Sequence, residues 1–132
     1  MSAAKNDLVQ YRCQRAQETL EDARILANSE RWNACLNRLY YACFYAVTAL
    51  LLQHGLSSSK HSGVRGLFNK NFVKTGLVEK PLAETYNDLF EKRQTSDYAD
   101  FAQIHAEHVR PLLPKADLFV KTIVRLVSEG CA

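Results

Sequence analysis

The sequence predicts an all-α fold, a four- to five-helix up-and-down bundle that forms one domain over residues 1–132 with its core at about residues 5–127. Three observations predict it. Apolar residues recur at steps of three and four along most of the chain, and nowhere do they alternate with the period of two that marks a strand. From Leu39 to Leu52 there is no charge, glycine or proline, which describes a central helix buried on most of its circumference. With 132 residues, 47% of them apolar and 23% charged, the chain can close one core without metals or disulfides.

Taken in order, a first helix is expected from about Asp7 to Ala27. Val9, Cys13, Ala16, Leu20, Ala23 and Ala27 form its buried seam, whose small residues allow close approach to a neighbour. Asn28 and Ser29 mark a short turn, and either could cap a second helix from about Glu30 to His54. So short a connection makes these two helices an antiparallel hairpin. Gly55 suits the left-handed position past the second helix's end. Ser57, Ser58 and Ser59 then lead into a third helix over about Lys60 to Val73, with Val64, Leu67, Phe68 and Phe72 apolar. Pro81 opens a fourth helix that carries Leu82, Tyr86, Leu89 and Phe90 as far as about Arg93. The polar run from Gln94 to Asp100 interrupts the pattern. A last helix covers about His105 to Val127, where Pro111 and Pro114 must sit in opening turns, kink it or split off a short piece.

Fourteen uncharged residues at positions 39–52 span about 21 Å as a helix, short of the roughly 20 residues a bilayer needs, so no membrane segment is expected. The N-terminal MSAAKNDLVQ has no apolar run, and the expected compartment is the cytoplasm. Cys13, Cys35, Cys43 and Cys131 lack C-x-x-C spacing, and the first three occupy apolar helix positions as small hydrophobes. No cofactor or metal is expected. His105 and His108 stand three apart without an accompanying carboxylate set, no Gly-rich phosphate loop is present, and His54 reads as a cap on the second helix.

Charge is distributed unevenly. Between Arg31 and Val78 there is no Asp or Glu, while Arg31, Arg38, Lys60, Arg65, Lys70 and Lys74 are all positive. On one surface these would attract a phosphate-bearing or acidic partner; salt bridges to the flanking acidic segments would cancel them instead. Asn37 and Arg38 lie one turn before Tyr41, where they either reach solvent or line a groove. The most informative polar stretch is residues 89–101, LFEKRQTSDYADF. Arg93 there can grip a phosphate or carboxylate with two parallel hydrogen bonds, Asp97 can fix its fork, and Tyr98 can donate a further bond. The competing reading is a structural knot in which Arg93 pairs with Asp97 and Tyr98 packs on the central helix.

The runs NRLYYACFYAVTALLLQHGL (37–56), SSKHSGVRGLFNKNFVKTG (58–76) and RQTSDYADF (93–101), in this order and spacing, resemble the HEPN domain family, and within it the small stand-alone prokaryotic branch. The resemblance implies a helical bundle that pairs as a symmetric homodimer. It also implies a genetic partner, a minimal nucleotidyltransferase, in a toxin–antitoxin module. Many members of the family are metal-independent RNases using Arg-x(4–6)-His. Arg93 matches the arginine, but the histidine's place is taken by Tyr98, Ala99 or Asp100. A phenol with an ordinary pKa near 10 is a poor base for a 2′-hydroxyl.

Two expectations follow. In one, Arg93, Asp97 and Tyr98, with Asn37, Arg38, Lys60 and Arg65, line a groove that binds RNA, a nucleotide or the transferase without efficient turnover, and Tyr98 itself accepts a nucleotidyl group. In the other, His61 or His105 is brought by the fold to within about 6 Å of the Arg93 guanidinium and restores an RNase site. A purely structural dimer is the third, blander outcome.

Overall fold

The structure is a computed structural model that describes residues 2–98 and 104–130, without the side chains of residues 95–98. Six helices follow one another: α1 (Ala3–Asn28), α2 (Trp32–Gln53), α3 (His61–Phe68), α4 (Lys80–Tyr98), α5 (Ala106–Val109) and α6 (Leu112–Gly130). A π-helical turn, Asn69–Val73, continues α3, and there is no strand among the described residues.

α1 begins earlier than its apolar seam requires, because the Ser2 side chain accepts the Lys5 N–H at 3.1 Å and caps it. The expected seam is buried from Val9 to Ala23, and Thr19 is buried beside it. α1 and α2 form the expected hairpin and the most extensive helix pair in the molecule. Their connection differs from expectation: neither Asn28 nor Ser29 caps α2, whose N-cap is Arg31 without a side-chain bond, and Glu30 turns the chain at φ 58°. At the far end of α2, Gly55 adopts φ 74°, the left-handed conformation its position calls for.

α2 is central, touching all five other helices. By length and hydropathy alone it would qualify as a membrane span, yet most of that apolar window is packed inside the bundle. Leu36, Leu39, Leu50 and Leu51 meet α1 and α6 neighbours such as Val9, Ile123 and Val127 in one continuous core. Phe68, Tyr86 and Phe119 interlock at ring-centroid distances of 5.7 to 5.9 Å and extend that core toward α3 and α4. Gln53 Nε2 donates to the Val127 carbonyl at 2.7 Å, and Arg24 pairs with Asp117, so α6 is tied to both arms of the hairpin.

Toward the C-terminus one boundary departs from the sequence reading and one open alternative is decided. α4 continues through residue 98 rather than stopping near Arg93. Gln94 to Asp97 are polar but include no glycine or proline, so nothing in them ends a helix. Of the three outcomes open for the last helix, the chain takes the split: Pro111 falls between α5 and α6, and Pro114 lies in the first turn of α6, where its missing N–H costs nothing. Cys13, Cys35 and Cys43 are buried thiols in no disulfide. Burial pushes the Cys35 thiol up to about 11, so it stays protonated and inert.

Candidate functional site

α2, α3 and α4 converge at one corner of the bundle, and there the structure brings together Arg93 and His61. Arg93 Nη1 lies 3.2 Å from His61 Nδ1, and the Tyr40 hydroxyl lies 2.7 Å from the same nitrogen. Each side chain arrives from a different helix: Tyr40 from the middle of α2, His61 as the first residue of α3, and Arg93 from the last turns of α4. The imidazole is held by its surroundings, stacked on Phe44 at 4.3 Å with an interplanar angle of 12° and edged by Tyr41 at 5.8 Å.

The hydrogen-bond geometry fixes the state of His61. A guanidinium has donors and no acceptor, so Nδ1 must offer its lone pair to Arg93, and the proton of the neutral ring is on Nε2. Partial burial, and then the Arg93 charge, lower the pKa of His61 below the ordinary histidine value, so the ring is neutral at pH 7. Its place at the start of a helix acts in the same direction, because the dipole there opposes added positive charge. Tyr40 has a wholly buried ring, and burial pushes its phenol up to about 12 against the opposing pull of Arg93. It is therefore a neutral hydroxyl at any working pH, and with Nδ1 unprotonated it donates to that nitrogen.

Arg93 also stands over aromatic rings, with its guanidinium carbon 4.9 Å from the Tyr40 centroid and 5.3 Å from that of Tyr41. Arg38 approaches the same Tyr41 ring at 5.1 Å, and Asn37 Oδ1 accepts from its Nη2 and Nε at 2.9 and 3.2 Å. Asn37 thus aims Arg38, and two guanidinium groups share one tyrosine. Lys60 is exposed at the N-cap of α3, next to His61. Neither Arg38 nor Lys60 has an ion pair among the described residues. Arg65 is placed differently: it pairs with Glu91 at 2.8 Å and covers Phe90 at 3.9 Å, clamping α3 to α4. Asp97 and Tyr98 belong to the last turn of α4 by backbone, but their side chains, and with them the expected Arg93 fork, lie outside the described residues.

The remaining histidines are occupied elsewhere. His54 caps α2, its Nδ1 donating to the Leu50 carbonyl at 3.0 Å. His105 and His108 cap α5: the His105 N–H donates to His108 Nδ1 at 3.3 Å, and His105 lies by Arg31 and Trp32 at the hairpin's turn. A larger opening of about 680 Å³ between α4 and α6, lined by Leu77, Leu82 and Leu118, contains none of the residues at the Arg93 corner. The sequence reading missed Tyr40 as a site residue. It stands within the aromatic run, and the signal for it was its spacing of three from Asn37 and four from Phe44, which puts all three on one face of α2.

The arrangement offers a neutral imidazole with a tuned proton affinity, a bidentate anion donor beside it, and a hydroxyl that can follow the imidazole's tautomer. Those are the parts of a proton-transfer site for a phosphate ester. Comparison with known proteins agrees with the fold. The HEPN domain model matches residues 9–127. A UPF0332 protein of Thermotoga maritima is 46% identical over 125 residues, covering 95% of each chain. A candidate toxin of Methanocaldococcus jannaschii is 38% identical over 118 residues, covering 89% of this chain and 80% of that one. Among solved structures, TT1696 from Thermus thermophilus shares the fold at a TM-score of 0.74 and 15% identity, over 89% of this chain and 96% of that one. With the family's domain spanning nearly all of its length, the chain belongs to the HEPN domain family.

Proposed function

We propose that the protein is the toxin-class member of a two-part module, and that it binds RNA at the Arg93 corner and cleaves a phosphodiester there without a metal. The observation that carries this reading is the 3.2 Å approach of Arg93 to His61, which supplies from α3 the histidine that the α4 motif lacks. Arg93 would bind the phosphate, with Arg38, aimed by Asn37, and Lys60 holding its neighbours. Once the phosphate draws Arg93 away from Nδ1, exchange with solvent can move the single ring proton from Nε2 to Nδ1, where the Tyr40 hydroxyl accepts it, and Nε2 becomes the free base. Nε2 then takes the 2′-hydroxyl proton, O2′ attacks phosphorus, and the P–O5′ bond breaks. The departing oxygen takes a proton from solvent, leaving a 2′,3′-cyclic phosphate. Arg93 stabilises the charge that builds up on the pentacovalent phosphorus.

The candidate-toxin name of a relative supports the toxin class. A symmetric homodimer, a cytoplasmic setting and a minimal nucleotidyltransferase partner belong to the same proposal on the strength of the family alone. In that pairing Tyr98, in the last turn of α4, accepts a nucleotidyl group.

The test is cleavage of single-stranded RNA in EDTA. Wild type should produce cyclic-phosphate ends, His61→Ala should lose about 100-fold or more in rate, in line with loss of a general base, and Tyr98→Phe should cleave normally. Cleavage that survives His61→Ala would overturn the reading. RNA binding with no cleavage by wild type would return the protein to the groove-binding alternative. Incubation with the transferase and ATP, followed by intact-mass measurement, tests the pairing: a nucleotidyl increment that disappears in Tyr98→Phe is expected.

A further inference from the structure

Next to His61, one turn further along both α2 and α3, the surface opens into a pocket of about 210 Å³. Leu51, Leu56 and Val64 make its floor, while Arg12 reaches its mouth from α1 and Ser57 from the loop before α3. Phe44 belongs to both places: it lines the pocket and it stacks on His61 at 4.3 Å. Whatever fills the pocket therefore lies one ring away from the imidazole. No acid lines it, and the chain has none from Arg31 to Val78.

Size and chemistry narrow the occupant. Pockets for drug-sized ligands begin at about 300 Å³, so this one has room for a single flat ring system rather than a whole nucleotide. Its walls are aromatic and aliphatic, suited to the face of a base, and its mouth is polar. Arg12 presents donors only, and its bond from Nη1 to the Thr48 carbonyl is long at 3.5 Å and easily exchanged. The mouth is also firmly built. Gly63 lets Ser58 lie against α3 where any Cβ would collide with the serine hydroxyl, and that hydroxyl accepts the Lys60 N–H at 3.2 Å.

We infer that this pocket is a nucleobase subsite, seating the base of a nucleotide that flanks the phosphodiester held at Arg93 and His61. The inference rests on the phosphodiester reading of that neighbouring site and adds to it a seat for one base. The substrate is single-stranded RNA, since a base must leave its helical stack to enter. Guanine is preferred to adenine, because its O6 and N7 both accept from Arg12, whereas adenine turns an amino group toward the arginine.

The experiment measures binding of 2′-O-methyl oligonucleotides, which cannot be cleaved through O2′, by fluorescence anisotropy in EDTA. One strand carries a single guanine, a second adenine at that position and a third an abasic site; GMP serves as competitor. Loss of one seated base should weaken wild-type binding about tenfold. Ser57→Trp, which plugs the mouth from an exposed position, should erase that gap, and Arg12→Gln should erase the preference for guanine over adenine; circular dichroism verifies that both variants fold. A gap absent from wild type, or one that survives Ser57→Trp, overturns the subsite. GMP competing as well as the strand overturns RNA as the occupant in favour of a free nucleotide. Cleavage of unmodified RNA without any gap sinks the subsite alone, a gap without cleavage sinks the cleavage reading alone, and no binding of any strand sinks both.

Discussion

The two halves of α2 face different demands. Its second half, from Ala46 to Leu51, presents small and aliphatic residues that are almost all fully buried, with Thr48, whose carbonyl accepts from Arg12, as its one polar member. The first half, from Asn37 to Tyr45, is only partly buried, and its rings are surrounded by guanidinium groups and an imidazole. Aliphatic packing rewards volume and tolerates little else. Aromatic rings can be buried on one face while holding a cation or an imidazole on another, so a single helix can end the core and begin a site without a loop between them.

The contrast breaks most visibly in the core. Phe119→Ala removes a ring with no exposure from contact with Phe68 and Tyr86, and should cost about 3–5 kcal/mol in chemical denaturation. Arg93→Ala should do the opposite. It should leave the denaturation midpoint nearly unchanged while weakening RNA affinity and cleavage by about 100-fold, the worth of a charge-assisted bidentate contact with a phosphate. An equal loss of stability and binding would make Arg93 a strut of the fold.

Titration separates the halves more finely. If cleavage needs neutral His61, its rate should hold steady down to about pH 6.5, the ordinary histidine value, and fall only below it. Arg93→Gln removes one of the two causes of the shift, so its acid limb should move to higher pH. The same shift bears on folding. The unfolded histidine takes up its proton at a higher pH than the folded one, so His61 contributes stability above about pH 6.5 that is lost as the pH falls through the folded value. His61→Gln should flatten that part of a stability-against-pH curve, and no flattening would mean that the ring is less shielded than its contacts indicate.

Two smaller effects test the connections. Gly63→Ala should push Ser58 from its seat and cost about 1–3 kcal/mol, as overpacking does, with the loop between α2 and α3 losing amide protection first. Glu30→Gly should stabilise the hairpin by about 1 kcal/mol by relieving a non-glycine residue at φ 58°, a shift readable in the thermal midpoint. Glu30 is exposed in the turn before α2 and is none of the residues at the Arg93 corner, so cleavage should not change with it.

The helices were legible because their signal is periodic and local. The seam Val9 to Ala23 and the uncharged run from Leu39 to Leu52 need only the residues themselves. The continuation of α4 past Arg93 was not, since a polar helix exposed at its end leaves no apolar period to read. At the site the limit is different in kind. Arg93, Arg38 and Asn37 were visible as polar residues in apolar company, but the pairing of Arg93 with His61 joins positions 32 residues apart through the packing of α3 on α2. No spacing within either segment contains that distance. Arg65 shows the converse, since its bond to Glu91 depends on where α4 lies and not on the acid-free stretch around it.

The basic corner that the acid-free stretch helps to build has a thermodynamic consequence. A nucleic acid in water carries condensed counterions, and each phosphate neutralised by a fixed cation sets some of them free; for single strands the logarithm of affinity falls with the logarithm of salt concentration at about 0.7 per phosphate. Arg38, Lys60 and Arg93 cluster at one corner and would engage about three phosphates, so the protein's hold on a strand should weaken roughly tenfold for a threefold rise in salt. On that reading the ionic strength of its surroundings would set how long the protein stays on a strand.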